Sequence, residues 1–238
     1  NILITGANGF VGSELTAVLA KAGHQLLLAT RTGIPIKLDS IAVPSFATGD
    51  IKAFTGWDAH LKGVDVVVHL AARVHQMDEQ DSDARQAYVH SNTDAVVRLA
   101  EAAVRCGVKR FIFLSSIKVN GEDTGNSGPF SAKNIAAPLG DYAQSKWQAE
   151  QELGRLSISS DMGVVIIRPP LVYGPGVKAN FIRLVNLARS GLPVPFLGIE
   201  NRRDMVSIYN LCDLIAVCGE HDNAAGKTFL VSDGTAYS

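Results

Sequence analysis

The chain has 238 residues, 47% hydrophobic and 19% charged, a balance that indicates one large folded domain or a little more and excludes disordered chains and disulfide miniproteins. Its 22 basic and 23 acidic residues give a formal net charge of −1, which excludes a general nucleic-acid binder and a polybasic membrane protein. No uninterrupted apolar run reaches the roughly 18 residues of a membrane-spanning helix, so we expect no membrane partner.

Three cysteines, Cys106, Cys212 and Cys218, are odd in number and form no C-x-x-C pair. This spacing indicates neither a disulfide framework nor a zinc site, and we expect a reducing cytoplasm. The chain begins on a predicted strand and ends just after a strand-like run, from which we expect a protein trimmed at its C-terminus.

Short apolar runs alternate with longer segments of helical period, which predicts an α/β fold with a doubly wound parallel sheet. The predicted strands are Ile2–Thr5, Gln25–Thr30, Ser45–Thr48, Val64–Leu70, Arg110–Ser115 and Gly163–Arg168. The predicted helices are Phe10–Ala22, Ala84–Cys106, Asp141–Leu156, with Asp141 as N-cap, and Ala179–Ser190. Prolines and glycines cluster from Pro169 onward, so we divide the chain into a first domain, 1–168, and a smaller, truncated second lobe, 169–238.

Glycines recur at every third position, Gly6, Gly9 and Gly12, where the first strand runs into the first helix. A tight strand-to-helix turn tolerates no Cβ, and a pyrophosphate can then approach the backbone N–H groups at the helix N-terminus. In this βαβ context the motif predicts a Rossmann-like dinucleotide-binding domain over residues 1–168. The spacing G-x-x-G-x-x-G differs from the G-x-G-x-x-G of many dehydrogenases.

The end of the second strand should select the cofactor, because an acidic residue there would bind a ribose 2′-hydroxyl. The strand instead ends on Thr30 and Arg31, and a guanidinium favours a 2′-phosphate. We therefore expect NAD(P) as the cofactor, leaning to NADP, with a solvated Arg31 as the alternative. Asp50, followed by Ile51, could accept a hydrogen bond from the adenine or could simply be a turn residue.

Tyr142 and Lys146 are four residues apart on a predicted helix, so they share one face. We expect the ammonium to lie near the phenol and, helped by an oxidised nicotinamide, to lower its pKa, so that Tyr142 can exchange a proton with a sugar hydroxyl or carbonyl. Ser116 follows a strand at the sheet edge where doubly wound folds bind ligands, and its hydroxyl could bond the same oxygen.

Several motifs in order across nearly the whole chain resemble the extended short-chain dehydrogenase/reductase family. They are Thr5–Gly12, His69-Leu70-Ala71-Ala72, Asn92, Ser115-Ser116, Tyr142-Ala143-Gln144-Ser145-Lys146 and Arg168–Gly176. Within that family the chain is most similar to the NAD(P)-dependent nucleotide-sugar epimerases and 4-keto reductases that act on UDP-linked hexoses.

The resemblance implies Ser116, Tyr142 and Lys146 as the catalytic group and Asn92 as a brace for the active-site helix. It implies cofactor contacts from the glycine turn, the wall after the fourth strand and the later strand ends, namely Gly6, Asn8, Gly9, Phe10, Val11, Gly12, Leu70, Ala71, Ala72, Asn92, Lys146 and Val172. Asn180 and Arg203 are implied as contacts to the substrate diphosphate, with an N-cap and a surface ion pair as their alternatives. Lys118 could touch substrate phosphate or be solvated.

Three positions depart from the family pattern. Ile117-Lys118 stands where the family's 4,6-dehydratases place an acidic pair, which disfavours dehydration. Leu171 replaces a frequent asparagine, and Ile208-Tyr209-Asn210 replaces a Val-Asp-Asp sequence, so we carry no role to those positions.

Two histidines, His69 and His75, flank the fourth strand end without a third ligand at metal spacing, so we propose no metal and expect a hydrogen-bonded structural histidine. The sequence leaves two reactions open at C4 of a UDP-hexose: 4-epimerisation, and NADPH-dependent reduction of a UDP-4-keto-6-deoxy-hexose. A non-catalytic dinucleotide-binding regulator is a third interpretation, which the presence of Ser116, Tyr142 and Lys146 disfavours. A homodimer through the long helices is left open.

Overall fold

The computed structural model of this chain describes residues 1–38, 41–72, 88–125, 128–177, 181, 186–187, 189–190 and 201–237. Its main element is a seven-stranded parallel sheet. The strands are β1 (Ile2–Thr5), β2 (Leu26–Thr30), β5 (Ser45–Ala47), β6 (Val66–His69), β7 (Arg110–Leu114), β8 (Gly163–Arg168) and β11 (Thr228–Leu230). Their order across the sheet, β5-β2-β1-β6-β7-β8-β11, reverses between β1 and β6, which confirms the predicted doubly wound, Rossmann-like fold.

Helices cover both faces of the sheet: α1 (Phe10–Lys21), α2 (Trp57–His60), α3 (Ala95–Arg105), α4 (Gly140–Ile158) and α5 (Ile208–Glu220). A π-helical turn, His90–Asp94, leads into α3. Successive strand residues point to opposite faces, so Ile4 packs with α1 and α5 while Leu3 packs with α3 and α4. The large sheet is therefore buried on both sides, as its continuous apolar strands predict.

A small three-stranded sheet and a hairpin complete the described fold. Strands β9 (Leu171–Tyr173) and β10 (Arg203–Ser207) are parallel, and β12 (Ala236–Tyr237) is antiparallel to β10. Strands β3 (Ile36–Leu38) and β4 (Ile41–Val43) form the hairpin. Between β10 and β12 the chain returns to the large sheet, because α5 packs on α1 and β11 pairs with β8. The domain boundary at residue 168 stays a prediction. Two elements of the segment 169–238, α5 and β11, pack with the large sheet of the first domain.

The six predicted strands are all present, two of them with the predicted bounds and the others shortened by one to three residues. The N-cap prediction for Asp141 is wrong. Helix α4 begins at Gly140 after Leu139, whose side chain makes no capping hydrogen bond. Asp141 lies instead in the first turn, where a negative charge interacts favourably with the helix dipole.

Candidate active site

The candidate site lies at the carboxyl edge of the large sheet, because all seven strands run in one direction and end at the same edge. There β1 ends before Gly6, β2 before Arg31, β6 before Leu70 and β7 before Ser115-Ser116. The order of strands reverses between β1 and β6, and the crevice at such a switch point is the usual ligand site of doubly wound sheets.

The glycine turn between β1 and α1 has almost no room for side chains. Gly6 has φ +69°, and a Cβ there would lie 2.8 Å from the backbone nitrogen of Ala71. A Cβ on Gly12 would lie 2.2 Å from the carbonyl oxygen of Gly6. Helix α1 begins directly after Gly9, without a side-chain cap and without an acidic residue in its first turn. Its N-terminal N–H groups therefore suit a pyrophosphate, and this turn fits a dinucleotide.

The wall beside this turn is the segment after β6. Ala71 is half-buried and its N–H donates to Thr5 Oγ1 at 3.3 Å, whereas Ala72 is exposed. Thr5 Oγ1 also lies 2.9 Å from Nδ1 of the fully buried His69. Burial, together with the charge of Lys146, lowers the pKa of His69 to about 3, so this ring is neutral. His69 is thus the hydrogen-bonded structural histidine that we expected.

Tyr142 lies in the first turns of α4, and its side chain interacts with that of Ser116. Ser116 is half-buried and accepts a hydrogen bond from the Lys118 N–H at 3.2 Å. Burial raises the pKa of Tyr142 to about 12, although the bond to Ser116 acts in the opposite direction. Without the nicotinamide the phenol therefore keeps its proton, and the lowering of its pKa by Lys146 together with an oxidised nicotinamide stays a prediction.

Lys146 is almost fully buried one helical turn after Tyr142. Its Nζ donates to the Leu114 carbonyl oxygen at 2.9 Å and lies 4.5 Å from the centre of the Phe113 ring. Burial lowers its pKa to about 7, and the negative charge of Glu150 opposes that shift. The lysine is thus bound to β7, and its ammonium can lose its proton near neutral pH.

Asn92 connects the π-helical turn to α4. It is fully buried, and its Nδ2 donates to Ser145 Oγ at 3.2 Å. Ser145 Oγ in turn donates to the Tyr142 carbonyl oxygen at 2.8 Å, and Thr93 Oγ1 donates to the Ser145 carbonyl at 2.9 Å. These contacts are of the bracing kind that the family resemblance implies for Asn92.

The residues expected at the adenosine end lie at neighbouring strand ends. Arg31 is exposed directly after β2 and accepts, through its carbonyl, the Gly49 N–H at 3.1 Å. Asp50 is exposed, accepts the Lys52 N–H at 3.2 Å and pairs with the Lys52 ammonium. The Asp50 carboxylate thus closes a local turn, while Ile51 beside it is half-buried.

The residues expected at the substrate end are only partly described. Lys118 is exposed and pairs with Glu122 at 3.0 Å, and Arg203 is exposed at the start of β10. Val172, which was expected as a cofactor contact, is half-buried in β9 and packs against the core. Asn180 and His75 lie outside the described residues, as does most of the predicted helix Ala179–Ser190.

A family model for the "NAD dependent epimerase/dehydratase family" matches residues 2–232. The chain belongs to this family. It is 48% identical over 236 residues to a UDP-glucose 4-epimerase of Vibrio cholerae, and the alignment covers 98% of the chain and 71% of that relative. The motif resemblance found in the sequence is thereby confirmed.

Two solved structures of similar proteins extend the comparison. MoeE5 in complex with UDP-glucose and NAD is 26% identical, with a TM-score of 0.83 over 100% of the chain and 78% of MoeE5. A UDP-glucuronic acid 4-epimerase of Bacillus cereus, in complex with NAD, is 26% identical, also with a TM-score of 0.83, over 100% of the chain and 79% of that protein. The family's description as NAD-dependent agrees with the NAD bound in both of these neighbours.

The structure contains a buried ion pair next to the site that was not predicted from the sequence. Glu150 of α4 and Arg168 at the end of β8 are joined by two hydrogen bonds, and Ser115 Oγ donates to the same carboxylate. The spacing of four residues from Tyr142 to Lys146 and again to Glu150 was the available signal, because it places all three on one helix face.

No group of three or more His, Cys, Asp or Glu side chains in the described ranges could hold a metal ion. Among the helices of the described residues, none is both long and apolar enough to cross a membrane.

Proposed function

We propose that this protein interconverts UDP-hexoses as an NAD(P)-dependent 4-epimerase. The observation that carries the proposal is the contact between Tyr142 and Ser116 at the carboxyl edge of the sheet, on the same edge as the glycine turn. The relative at 48% identity, named as a UDP-glucose 4-epimerase, supports the same substrate class.

The site divides the work between the dinucleotide and the chain's own residues. When bound, the nicotinamide supplies hydride transfer at the sugar C4. The α1 N-terminus and the turn of Gly6, Gly9 and Gly12 hold its pyrophosphate. Tyr142 takes the proton from the C4 hydroxyl during oxidation and returns it during reduction, and Ser116 positions that oxygen by a hydrogen bond. Asn92 holds α4, and with it Tyr142, in place through Ser145.

Lys146 has a different task in this proposal. Its ammonium is bound to the Leu114 carbonyl oxygen and to the Phe113 ring, and it is the buried cation nearest in sequence to Tyr142 on α4. A phenol with a pKa of about 12 releases its proton only when positive charge develops beside it. We therefore expect Lys146 to act on Tyr142 once the dinucleotide is bound, and to bind the ribose hydroxyls of that cofactor.

Arg31 favours a second reaction, the NADPH-dependent reduction of a UDP-4-keto-6-deoxy-hexose. The β2 end offers an exposed guanidinium and no carboxylate for the ribose, which favours NADP over NAD. An epimerase keeps its cofactor through the cycle, whereas a reductase must exchange it. Arg203 and Lys118 are the exposed cations that we assign to the substrate phosphates in either reaction.

Incubation with a panel of UDP-hexoses and each cofactor separates these interpretations. Chromatography coupled to mass spectrometry should show the C4 epimer at unchanged mass without net change of cofactor absorbance. Stoichiometric loss of NADPH with a 4-keto sugar would instead favour the reductase. Binding of the dinucleotide without turnover of any sugar would favour the non-catalytic regulator and contradict both reactions.

A homodimer and a cytoplasmic location complete the proposal. Helices α3 and α4 lie side by side on one face of the sheet, and Ile158 at the end of α4 is 90% exposed. Light scattering of the purified chain would test the dimer, because a monomer mass at micromolar concentration contradicts it.

A further inference from the structure

The proposed reaction gives no role to the buried ion pair of Glu150 and Arg168. Arg168 Nε donates to Glu150 Oε1 at 3.0 Å and Nη2 donates to Oε2 at 2.5 Å, and the two residues are only 3% and 4% exposed. A buried pair must offset a large desolvation cost, so apolar residues of similar size would stabilise the fold equally well. The pair therefore calls for a reason beyond stability.

The pair reaches the strand end that carries Ser116. Ser115 Oγ donates to Glu150 Oε1 at 2.5 Å, and the Ser115 N–H donates to the Ile167 carbonyl oxygen at 2.7 Å. The residue directly before Ser116 is thus held by its side chain and by its backbone. A displaced carboxylate would move the backbone from which the Ser116 hydroxyl projects.

The same carboxylate acts on α4. Glu150 lies one helical turn after Lys146 and two turns after Tyr142, and its charge opposes the burial that lowers the pKa of Lys146. The other groups that face Lys146 are the neutral His69 from β6 and the Leu114 carbonyl and Phe113 ring from β7. Among these groups around Lys146, Glu150 is the one that carries a negative charge.

Arg168 connects the pair to the loop that follows Ser116. Its Nη1 donates to Asn120 Oδ1 at 2.9 Å, and Asn120 Nδ2 donates to the Ser131 carbonyl oxygen at 2.9 Å. Its guanidinium also lies 5.7 Å from the centre of the Trp147 ring on α4. A planar fork can make all these bonds at once, which an ammonium cannot.

We propose that Arg168 and Glu150 are positioning residues, which hold the Ser116 strand end, helix α4 and the loop at Asn120 in one catalytic arrangement. Neither side chain touches the substrate or the dinucleotide in this proposal. The kinetic tests of this positioning role rest on the proposed function. The NMR titration of Lys146 described last does not require turnover.

The Arg168→Lys variant tests the fork, because it keeps the buried positive charge and removes the simultaneous bonds. We expect kcat of the folded fraction to fall roughly 10- to 100-fold, as small misplacements of reacting groups do, with KM and dinucleotide affinity nearly unchanged. Arg155→Lys is the matched control, since Arg155 makes an exposed ion pair with Glu152 on the same helix. Equal kcat for Arg168→Lys and wild type, or a loss that only follows the unfolded fraction, would overturn the proposal.

If Arg168→Lys fails to fold, Asn120→Ala tests the proposal instead. This variant removes the hydrogen bond from Arg168 to the loop and leaves the ion pair of Arg168 and Glu150 intact. A lowered kcat at unchanged dinucleotide affinity supports the proposal, and wild-type kcat contradicts it.

Glu150→Gln gives the readout that needs no substrate. An NMR titration of the Lys146 side chain in the dinucleotide complex should show its pKa lowered relative to wild type, because the opposing negative charge is gone. An unchanged titration would remove Glu150 from the proposal. A wild type that turns over no UDP-hexose would overturn the proposed function, and this titration would still judge the positioning role.

Discussion

A methyl group on Gly12 would lie 2.2 Å from the carbonyl oxygen of Gly6. The oxygen belongs to the backbone, and a Cβ is bonded directly to it, so no rotation of a side chain can remove this overlap. The first turn of α1 and the end of β1 are therefore in contact because position 12 carries no Cβ, and the pyrophosphate cradle depends on that approach.

Gly12→Ala should consequently lose dinucleotide affinity and destabilise the fold by roughly 1–3 kcal/mol, the usual cost of overpacking. Urea denaturation and calorimetric titration with NAD⁺ and NADP⁺ measure the two effects. Gly154→Ala is the matched control, because Gly154 lies inside α4 and a methyl group there would have no neighbouring atom within 4 Å. It should raise the free energy of unfolding by about 1 kcal/mol and leave binding unchanged. Dinucleotide affinity equal to that of the wild type in Gly12→Ala would contradict the pyrophosphate site at the turn of Gly6, Gly9 and Gly12.

Tyr142→Phe should lose turnover while it keeps the dinucleotide. The substitution removes only the hydroxyl that contacts Ser116, so a roughly 10²- to 10⁴-fold fall in kcat is expected for the loss of an acid–base group. Steady-state kinetics and calorimetry check the two halves of this prediction. Tyr209→Phe, at a 53% exposed position on α5, should behave like wild type. Turnover in Tyr142→Phe equal to wild type would disprove the assignment.

The sequence predicted six of the seven strands of the large sheet, and the glycine, serine, tyrosine and lysine motifs, because each depends on neighbouring residues only. Continuous apolar runs indicate strands buried on both faces. Strands β9 and β10 were missed, since they have three and five residues and expose much of their surface, and the last strands were expected only as a strand-like run without bounds. Helix α5 was missed as well, although its buried residues Ile208, Leu211, Cys212, Ile215 and Cys218 recur at helical spacing.

Two properties of the site could not be predicted from local pattern. Glu150 and Arg168 are 18 residues apart and meet only because the crossover from α4 to β8 brings their ends together. The pKa of Tyr142 depends on how deeply α4 packs, and burial there outweighs the favourable contact with Ser116.

Lys146 should make the stability of the protein depend on pH between about 7 and 10.5. Its pKa is lowered by burial, so in this window the unfolded chain holds more protons at this position than the folded one, and stability rises with pH. Below pH 7 both states are protonated and the full cost of burying the ammonium applies. Lys146→Met should flatten this dependence and abolish turnover, whereas Lys62→Met, at an exposed position, should do neither. Urea denaturation of the three proteins across the window is the measurement, and parallel curves would contradict the lowered pKa.

Arg31→Asp should reverse the cofactor preference. At the end of β2 the guanidinium would bind a 2′-phosphate by charge-assisted bonds, each contributing about 1.5–3 kcal/mol, so roughly 10-fold or more of NADP⁺ affinity should be lost. A carboxylate at the same strand end can accept hydrogen bonds from the ribose 2′-hydroxyl, so NAD⁺ affinity should rise. Lys62→Asp makes the same change in charge on another exposed surface and should alter neither affinity, which separates a local contact from a general electrostatic effect. Calorimetric titration with both dinucleotides decides the matter, because tighter NAD⁺ than NADP⁺ binding by the wild type would show that Arg31 is solvated and that the cofactor is NAD.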